Sequence, residues 1–304
     1  MPNIFTTGAA SARGFGFGGG RPPPPAVGAI GIFSLNSTAT RNKYTFACDT
    51  NGLATSSSVA SRRSSAAGNS TRGIFALGGT LAASATRNKY TYACDTSDTA
   101  TAASAASCLG SAAGNSTRGI FALGAVSCAS STIRNKYTYA CDTNGTATAA
   151  SAATQQGSAA GNSTRGIFAL GFTTVRVNTR NKYTYACDTS GTATAASVAS
   201  YAGSAAGNST RGIFALGSTT VSVTTRNKYT YACDTSGTAA ASSTFSSQGS
   251  AAGNSTRGIF ALGPAGTTRN KYTYACDTNG SAAAASATSS TGAAASNGTC
   301  GVNT

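Results

Sequence analysis

Arg87-Asn88-Lys89-Tyr90-Thr91-Tyr92-Ala93-Cys94-Asp95-Thr96 alternates along its length, and this stretch decides the fold. It predicts a β-strand with Tyr90, Tyr92 and Cys94 on one face and Lys89, Thr91, Ala93 and Asp95 on the other. Asp-Thr-Ser-Gly or Asp-Thr-Asn-Gly follows in most copies and predicts a turn, because Asp and Asn bond their own backbone and Gly accepts positive φ. The same strand opens at Arg41, Arg87, Arg134, Arg180, Arg226 and Arg269, a period of about 46 residues.

A second block, Ser-Ala-Ala-Gly-Asn-Ser-Thr-Arg-Gly-Ile-Phe-Ala-Leu-Gly, begins at Ser65, Ser111, Ser158, Ser204 and Ser250, and Gly31-Ile32-Phe33-Ser34-Leu35 repeats part of its end. It reads as a strand of small residues, a tight turn at Asn-Ser, and a strand carrying Ile and Phe. The Asn-Ser-Thr triplets match glycosylation acceptors but are better read as that hairpin turn. With the Tyr strand and the Thr/Ala strand after it, each repeat holds four short strands, the size of a propeller blade. Ala favours helix, but Thr and Ser interrupt the Ala-rich runs between turns.

The expected fold is therefore all-β, a propeller forming one domain over residues 1–304. Asn3–Thr7 and Gly14–Gly18 resemble the third and fourth strands, and Gly292–Asn297 and Gly298–Val302 the first and second. Counting them predicts seven blades, with six as the alternative. The last blade would be shared between residues 3–18 and 292–304, so that strands from both termini close the ring and remove its edges.

The 304 residues contain no Trp, no His and no Glu. His-based triads, His-ligated zinc and Glu acid/base pairs are excluded. Every Lys recurs in a repeat. No enzyme, cofactor or metal is expected. Twenty-two Lys and Arg against seven Asp leave a net charge of +15, which argues for an anionic partner or surface. No apolar run is long enough to span a bilayer. Met1–Arg13 lacks a basic segment followed by an apolar core, so no secretory signal is expected.

Cys48, Cys94, Cys141, Cys187, Cys233 and Cys276 read as buried thiols, since no Cys-x-x-Cys is present and neighbouring sheets lie about 10 Å apart. Antiparallel pairing places Arg72 near Asp95, Arg118 near Asp142, Arg165 near Asp188, Arg211 near Asp234 and Arg257 near Asp277, predicting one structural ion pair per blade. The 2–3 and 4–1 connections vary between repeats, and both lie on one face. Binding is expected there, through Arg41, Lys43, Arg62, Arg63, Arg87, Lys89, Arg134, Lys136, Arg176, Arg180, Lys182, Arg226, Lys228, Arg269 and Lys271. Nucleic acid is not favoured, because the loops offer only Phe172, Tyr201 and Phe245 for stacking. Cys108 and Cys128 break the repeat and occupy two connections on that face, where a disulfide is open to them alongside two unrelated thiols.

The Arg-Gly-Ile-Phe-Ala-Leu-Gly block followed by a Tyr-rich strand resembles the kelch-like repeat. Gly78-Gly79 keeps its double glycine, while the Trp usual in its fourth strand is missing. Asn-Ser-Thr-x-Gly-Ile-Phe and Lys-Tyr-Thr-Tyr are similar to elements of near-identical repeats in kelch-like propellers of tailed bacteriophages and some bacteria. That resemblance implies a virion component: a structural or adhesive tail, fibre or capsid-decorating protein, present in many copies. Its partners would be other virion proteins or anionic host glycans. The alternative is a secreted or surface glycan-binding propeller of a bacterium.

Overall fold

The computed structural model describes residues 29–298 apart from 36, 80–81, 127–128, 264–265 and 289–290. Among the described residues there is no helix, and the strands form seven antiparallel sheets. Six have four strands and one has three. The chain is an all-β propeller.

Blade two shows the pattern: inner strand Ser65–Gly68, second strand Arg72–Ala76, third strand Arg87–Thr91, outer strand Thr96–Ala100. Gly73 lies opposite Tyr90, Ile74 opposite Lys89 and Phe75 opposite Asn88. The inner strands of blades three to six are Ser111–Gly114, Ser158–Gly161, Ser204–Gly207 and Ser250–Gly253. The Asn-Ser-Thr triplet is the inner hairpin. Asn69 Oδ1 accepts from the Thr71 and Arg72 amides at 3.0 and 2.9 Å, while its Nδ2 donates to the Ser116 carbonyl of the next blade at 3.0 Å.

Blade one takes strands from both ends of the chain. Ala294–Ser296 is its inner strand and pairs with Ile30–Ser34, which pairs with Arg41–Thr45 and then Thr50–Ala54. Closure by both ends is as expected, but the boundaries differ. Ile30–Ser34 already fills the second-strand place, so only the inner place is left for the C-terminal segment. Residues 3–18, and all but Gly298 of the proposed 298–302 strand, lie outside the described residues. Inner strands are neighbours in the order of blades one to six and back to one. Six four-stranded blades thus complete the ring, the smaller of the two counts. The three-stranded sheet, Ser107–Cys108 with Ala125–Val126 and Ala129–Ser130, joins two loops of blade three.

The core is six repeated layers between blades. Ile74 and Phe75 are adjacent in sequence, so they face opposite ways. Phe75 packs with Ile32 of blade one and with Tyr90 and Tyr92, whereas Ile74 packs against Phe121 and Tyr137 of blade three. Tyr90 and Tyr92 meet edge-on, centroids 5.6 Å apart.

Near the axis the packing leaves no spare room. A Cβ on Gly68 or Gly73 would sit 2.8 Å from the Tyr92 hydroxyl. Blades three to six repeat this with Tyr139, Tyr185, Tyr231 and Tyr274. All five hydroxyls are buried without a hydrogen-bond partner among the described residues. Blade one differs at both positions. Phe46 replaces the tyrosine, and Ser296 stands where the others have Gly, its Oγ donating to the Gly253 carbonyl of blade six.

Candidate functional site

The charges expected on a solvent rim are mostly inside the fold. Arg41, Arg87, Arg134, Arg180, Arg226 and Arg269 are at most 1% exposed. Each begins a third strand and crosses to the next blade. Arg134 donates to Ser190 Oγ at 2.9 Å and Asn181 Oδ1 at 3.1 Å, and stacks 4.6 Å from the Phe168 ring centroid. Burial pushes these guanidinium groups down to about 10, so they remain charged at neutral pH. No carboxylate pairs with them among the described residues.

Lys43, Lys89, Lys136, Lys182, Lys228 and Lys271 are also committed to the fold. They bridge to Asp95, Asp142, Asp188, Asp234, Asp277 and Asp49 of the following blade at 2.6–3.0 Å. Six steps return to the first blade. Burial raises the Asp49 carboxyl, but hydrogen bonds from Lys271, Tyr44 and the Ala283 amide outweigh it and hold it at about 2. The Asp residues sit at φ 51–52°, which Asp tolerates better than most residues.

The expected Arg–Asp pairs do not form among the described residues. Arg72, Arg118, Arg165 and Arg211 donate instead to the carbonyls of Tyr139, Tyr185, Tyr231 and Tyr274, and Arg257 to that of Phe46. Asp95, Asp142, Asp188, Asp234 and Asp277 are taken by the lysines of the preceding blade. In-sheet register brings Arg72 and Asp95 near one another, but the side chains reach across to neighbouring sheets.

The repeat cysteines also differ from expectation. Cys48, Cys94, Cys141, Cys187, Cys233 and Cys276 are exposed. The third strand ends at Thr91, and the chain turns through Cys94 to the left-handed Asp95. The strand alternation therefore stops before it reaches the thiol. Cys108 is half-buried and lies opposite Ala125. Cys128 lies outside the described residues, and the disulfide with it.

Of the expected binding residues, Arg62, Arg63 and Arg176 remain on the variable loop face. Arg63 and Arg176 are exposed and Arg62 is half-buried. Arg176 stacks 5.4 Å from the ring centroid of Tyr201, which meets Phe172 edge-on at 6.2 Å. Val175, Val221 and Phe245 are exposed on the same face.

This face surrounds the axis with a feature the repeat comparison missed. Arg63, Leu109, Gln156, Ala202, Gln248 and Thr291 occupy one position of the 4–1 connection, and all have φ of 53–60°. The Leu109 amide donates to the Arg63 carbonyl, Gln156 to Leu109, Ala202 to Gln156, Gln248 to Ala202 and Thr291 to Gln248, at 2.6–2.9 Å. Ser64, next to Arg63, completes the circle by donating to the Thr291 carbonyl at 3.3 Å. In four blades a left-handed Gly seals each loop from beside: a Cβ on Gly78, Gly124, Gly171 or Gly217 would come within 2.2–2.5 Å of a carbonyl there. The legible signal was a position that carries five different residues in six copies, always just before the inner strand.

Inside this belt lies an axial cavity of about 80 Å³, lined by Ser65, Ser111, Ser158, Ser204 and Ser250, with Ala293 in the sixth place. Its mouth is lined by the six belt residues themselves.

No family model matches the chain, and no curated protein does. Among solved structures 228 chains match. One, titled "Structure of YjhT", aligns over 78% of this chain and 88% of that chain with a TM-score of 0.60 and 7% identity. At 7% identity the likeness is one of fold alone. On this likeness the expectation that the chain is not an enzyme is withdrawn, since a fold shared with YjhT does not separate enzymes from binding proteins. Each blade pairs a Tyr hydroxyl with an Asp carboxylate, as in Tyr44 to Asp49 at 2.5 Å, and burial together with that hydrogen bond pushes the Tyr hydroxyl up.

Proposed function

We propose that the propeller is a structural or adhesive virion component that binds through its variable loop face. Its place would be a tail, fibre or capsid surface, in many copies, with other virion proteins or anionic host glycans as partners. The kelch-like character of the repeat and its similarity to propellers of tailed bacteriophages support this setting. The carrying observation is the division of labour within each repeat. Residues that hold blades together are copied six times, while the loop-face positions differ and are held by the backbone belt. Binding residues concentrate on loops positioned by a rigid scaffold.

A second reading, a secreted or surface glycan-binding propeller of a bacterium, draws on the Phe172–Tyr201–Arg176 cluster. An aromatic platform beside a cation suits an acidic sugar.

The test is binding of the intact protein to immobilised anionic glycans and to isolated virion proteins, compared with the triple variant Arg62→Ala/Arg63→Ala/Arg176→Ala. Weakened capture, more pronounced at low salt, is expected. Undiminished capture by the triple variant refutes the loop-face assignment. Genes for capsid or tail proteins beside the coding sequence support the virion setting, and a secretion system there supports the second reading.

A further inference from the structure

Among the described residues, the exposed large apolar side chains gather on one face. Val59, Ile133, Val175, Val198, Val221 and Phe245 all stand in 2–3 or 4–1 connections, and Leu53 alone is elsewhere, on an outer strand. Single exposed apolar residues are ordinary, but their gathering on one face marks an interaction site. They are densest over blades four and five. Two hairpins form there, closed by the bridges Phe172–Arg176 and Ser218–Ser222, with Val175 and Val221 at their tips, 62% and 67% exposed. The bridges Val177–Ser200, Tyr201–Ser218 and Val223–Ser246 tie the hairpins to each other and to the loop carrying Phe245, 57% exposed. The tips are thus held by main-chain bonds before any partner arrives, and little ordering entropy is lost on contact. Charge is segregated as well. None of the seven Asp belongs to a 2–3 or 4–1 connection: six stand in 3–4 turns and Asp98 in an outer strand, and there is no Glu. The same connections carry Arg62, Arg63 and Arg176.

We infer that the loop face docks on an anionic lipid bilayer, with Val175, Val221 and Phe245 entering the acyl boundary and Arg176 and Tyr201 at headgroup depth. The inference rests on the loop-face reading and adds lipid to its anionic partners. Apolar side chains at separate hairpin tips need a continuous apolar medium, which a bilayer offers without matching pockets. The Tyr201 ring with Arg176 stacked on it at 5.4 Å suits the interface, where aromatic rings and guanidinium groups keep their polar ends wet. A sugar would stack on the rings and leave the valine tips in water. A second copy in the same face would set like charges opposite one another. A face with cations and no carboxylate is drawn to anionic headgroups, each cation strengthening the attraction.

Flotation of the intact protein with vesicles of phosphatidylcholine alone, and of phosphatidylcholine mixed with phosphatidylglycerol, tests the docking. Binding to the mixed vesicles and not to the neutral ones is expected, weakened by added salt. Val175→Ser/Val221→Ser/Phe245→Ser should weaken it by at least about tenfold, and Arg176→Ala by about fivefold, both with an unchanged Tm because the changed side chains are exposed. The chain has no Trp, so Val221→Trp carries a lone indole reporter. Its emission should shift to the blue on adding mixed vesicles, while that of Leu53→Trp, on an outer strand, should not. Flotation with neither vesicle, equal flotation with both, or undiminished flotation of the serine variant overturns the inference, as does a blue shift at residue 53 without one at residue 221. If flotation fails while capture by glycans or virion proteins is still lost in Arg62→Ala/Arg63→Ala/Arg176→Ala, the lipid inference falls and the loop-face reading stands. Capture by virion proteins that is lost in the serine variant, with no flotation, assigns the apolar tips to a protein partner and overturns the inference too.

Discussion

Phe46→Tyr tests the packing of the closing blade in the most direct way. It installs in blade one the tyrosine that the other five blades have, but there it meets Ser296 in place of Gly. In blades two to six a Cβ at that position would stand 2.6–2.8 Å from the hydroxyl, closer than packed side chains tolerate. Forcing such an overlap costs about 1–3 kcal/mol. Ser296→Gly alone loses the hydrogen bond to the Gly253 carbonyl and loosens the strand, together about 1–2 kcal/mol. The double variant Phe46→Tyr/Ser296→Gly recreates the arrangement of the other blades. It should therefore be more stable than the sum of the two single changes by about 1–2 kcal/mol, a coupling of the size seen for residues in contact. Urea unfolding of the four proteins measures it. Additivity within about 0.5 kcal/mol would show that Ser296 and residue 46 do not share a space, and would refute the account of closure.

Acid should act on the inter-blade carboxylates. The folded pKa of Asp49, Asp95 and Asp277 is held at about 2, below the ordinary 3.8. Their stabilisation is thus complete above about pH 4 and lost as the pH falls toward 2; a Tm unchanged between pH 5 and pH 2.5 would contradict this. Arg134→Met removes a buried charge that has no carboxylate partner, so it should change stability by no more than about 1 kcal/mol. Arg134→Ala leaves a cavity beside Phe168 and should cost about 2–4 kcal/mol; equal costs in chemical denaturation would refute the distinction. In the native protein the six exposed repeat cysteines should react with a thiol reagent without denaturant, and fewer than six fast equivalents would contradict their exposure.

Local chemistry made much of the fold legible. Asn-Ser-Thr is a hairpin turn because one Asn oxygen caps two amides, and Asp95 ends its strand because it accepts a left-handed backbone. Such effects act within a few residues and can be read directly. The site was less legible because its charges act between sheets. Register places Arg72 beside Asp95, but nothing in one repeat says that Asp95 reaches Lys43 of the blade before it. Arg41 and its five counterparts looked like a basic rim because a strand start is usually near solvent; stacking of the next blade buries them. A discriminating signal was available. These arginines recur in every repeat, whereas Arg62, Arg63 and Arg176, which do stay on the loop face, each occur once. Blade closure was misplaced at its N-terminal end because worn strands at residues 3–18 competed with Ile30–Ser34, whose pairing is plain only in three dimensions.

The backbone belt around the axial mouth behaves as a hoop. Main-chain groups make its links, so no particular side chain is needed to form it, and residues as different as Arg63, Leu109, Ala202 and Thr291 sit on it in one left-handed geometry. A substitution there changes what the mouth presents without a new loop length or a refolded blade. The six positions therefore work as a dial of independent letters. A lineage of such rings could alter its choice of partner one letter at a time while the machinery holding the blades together stayed untouched.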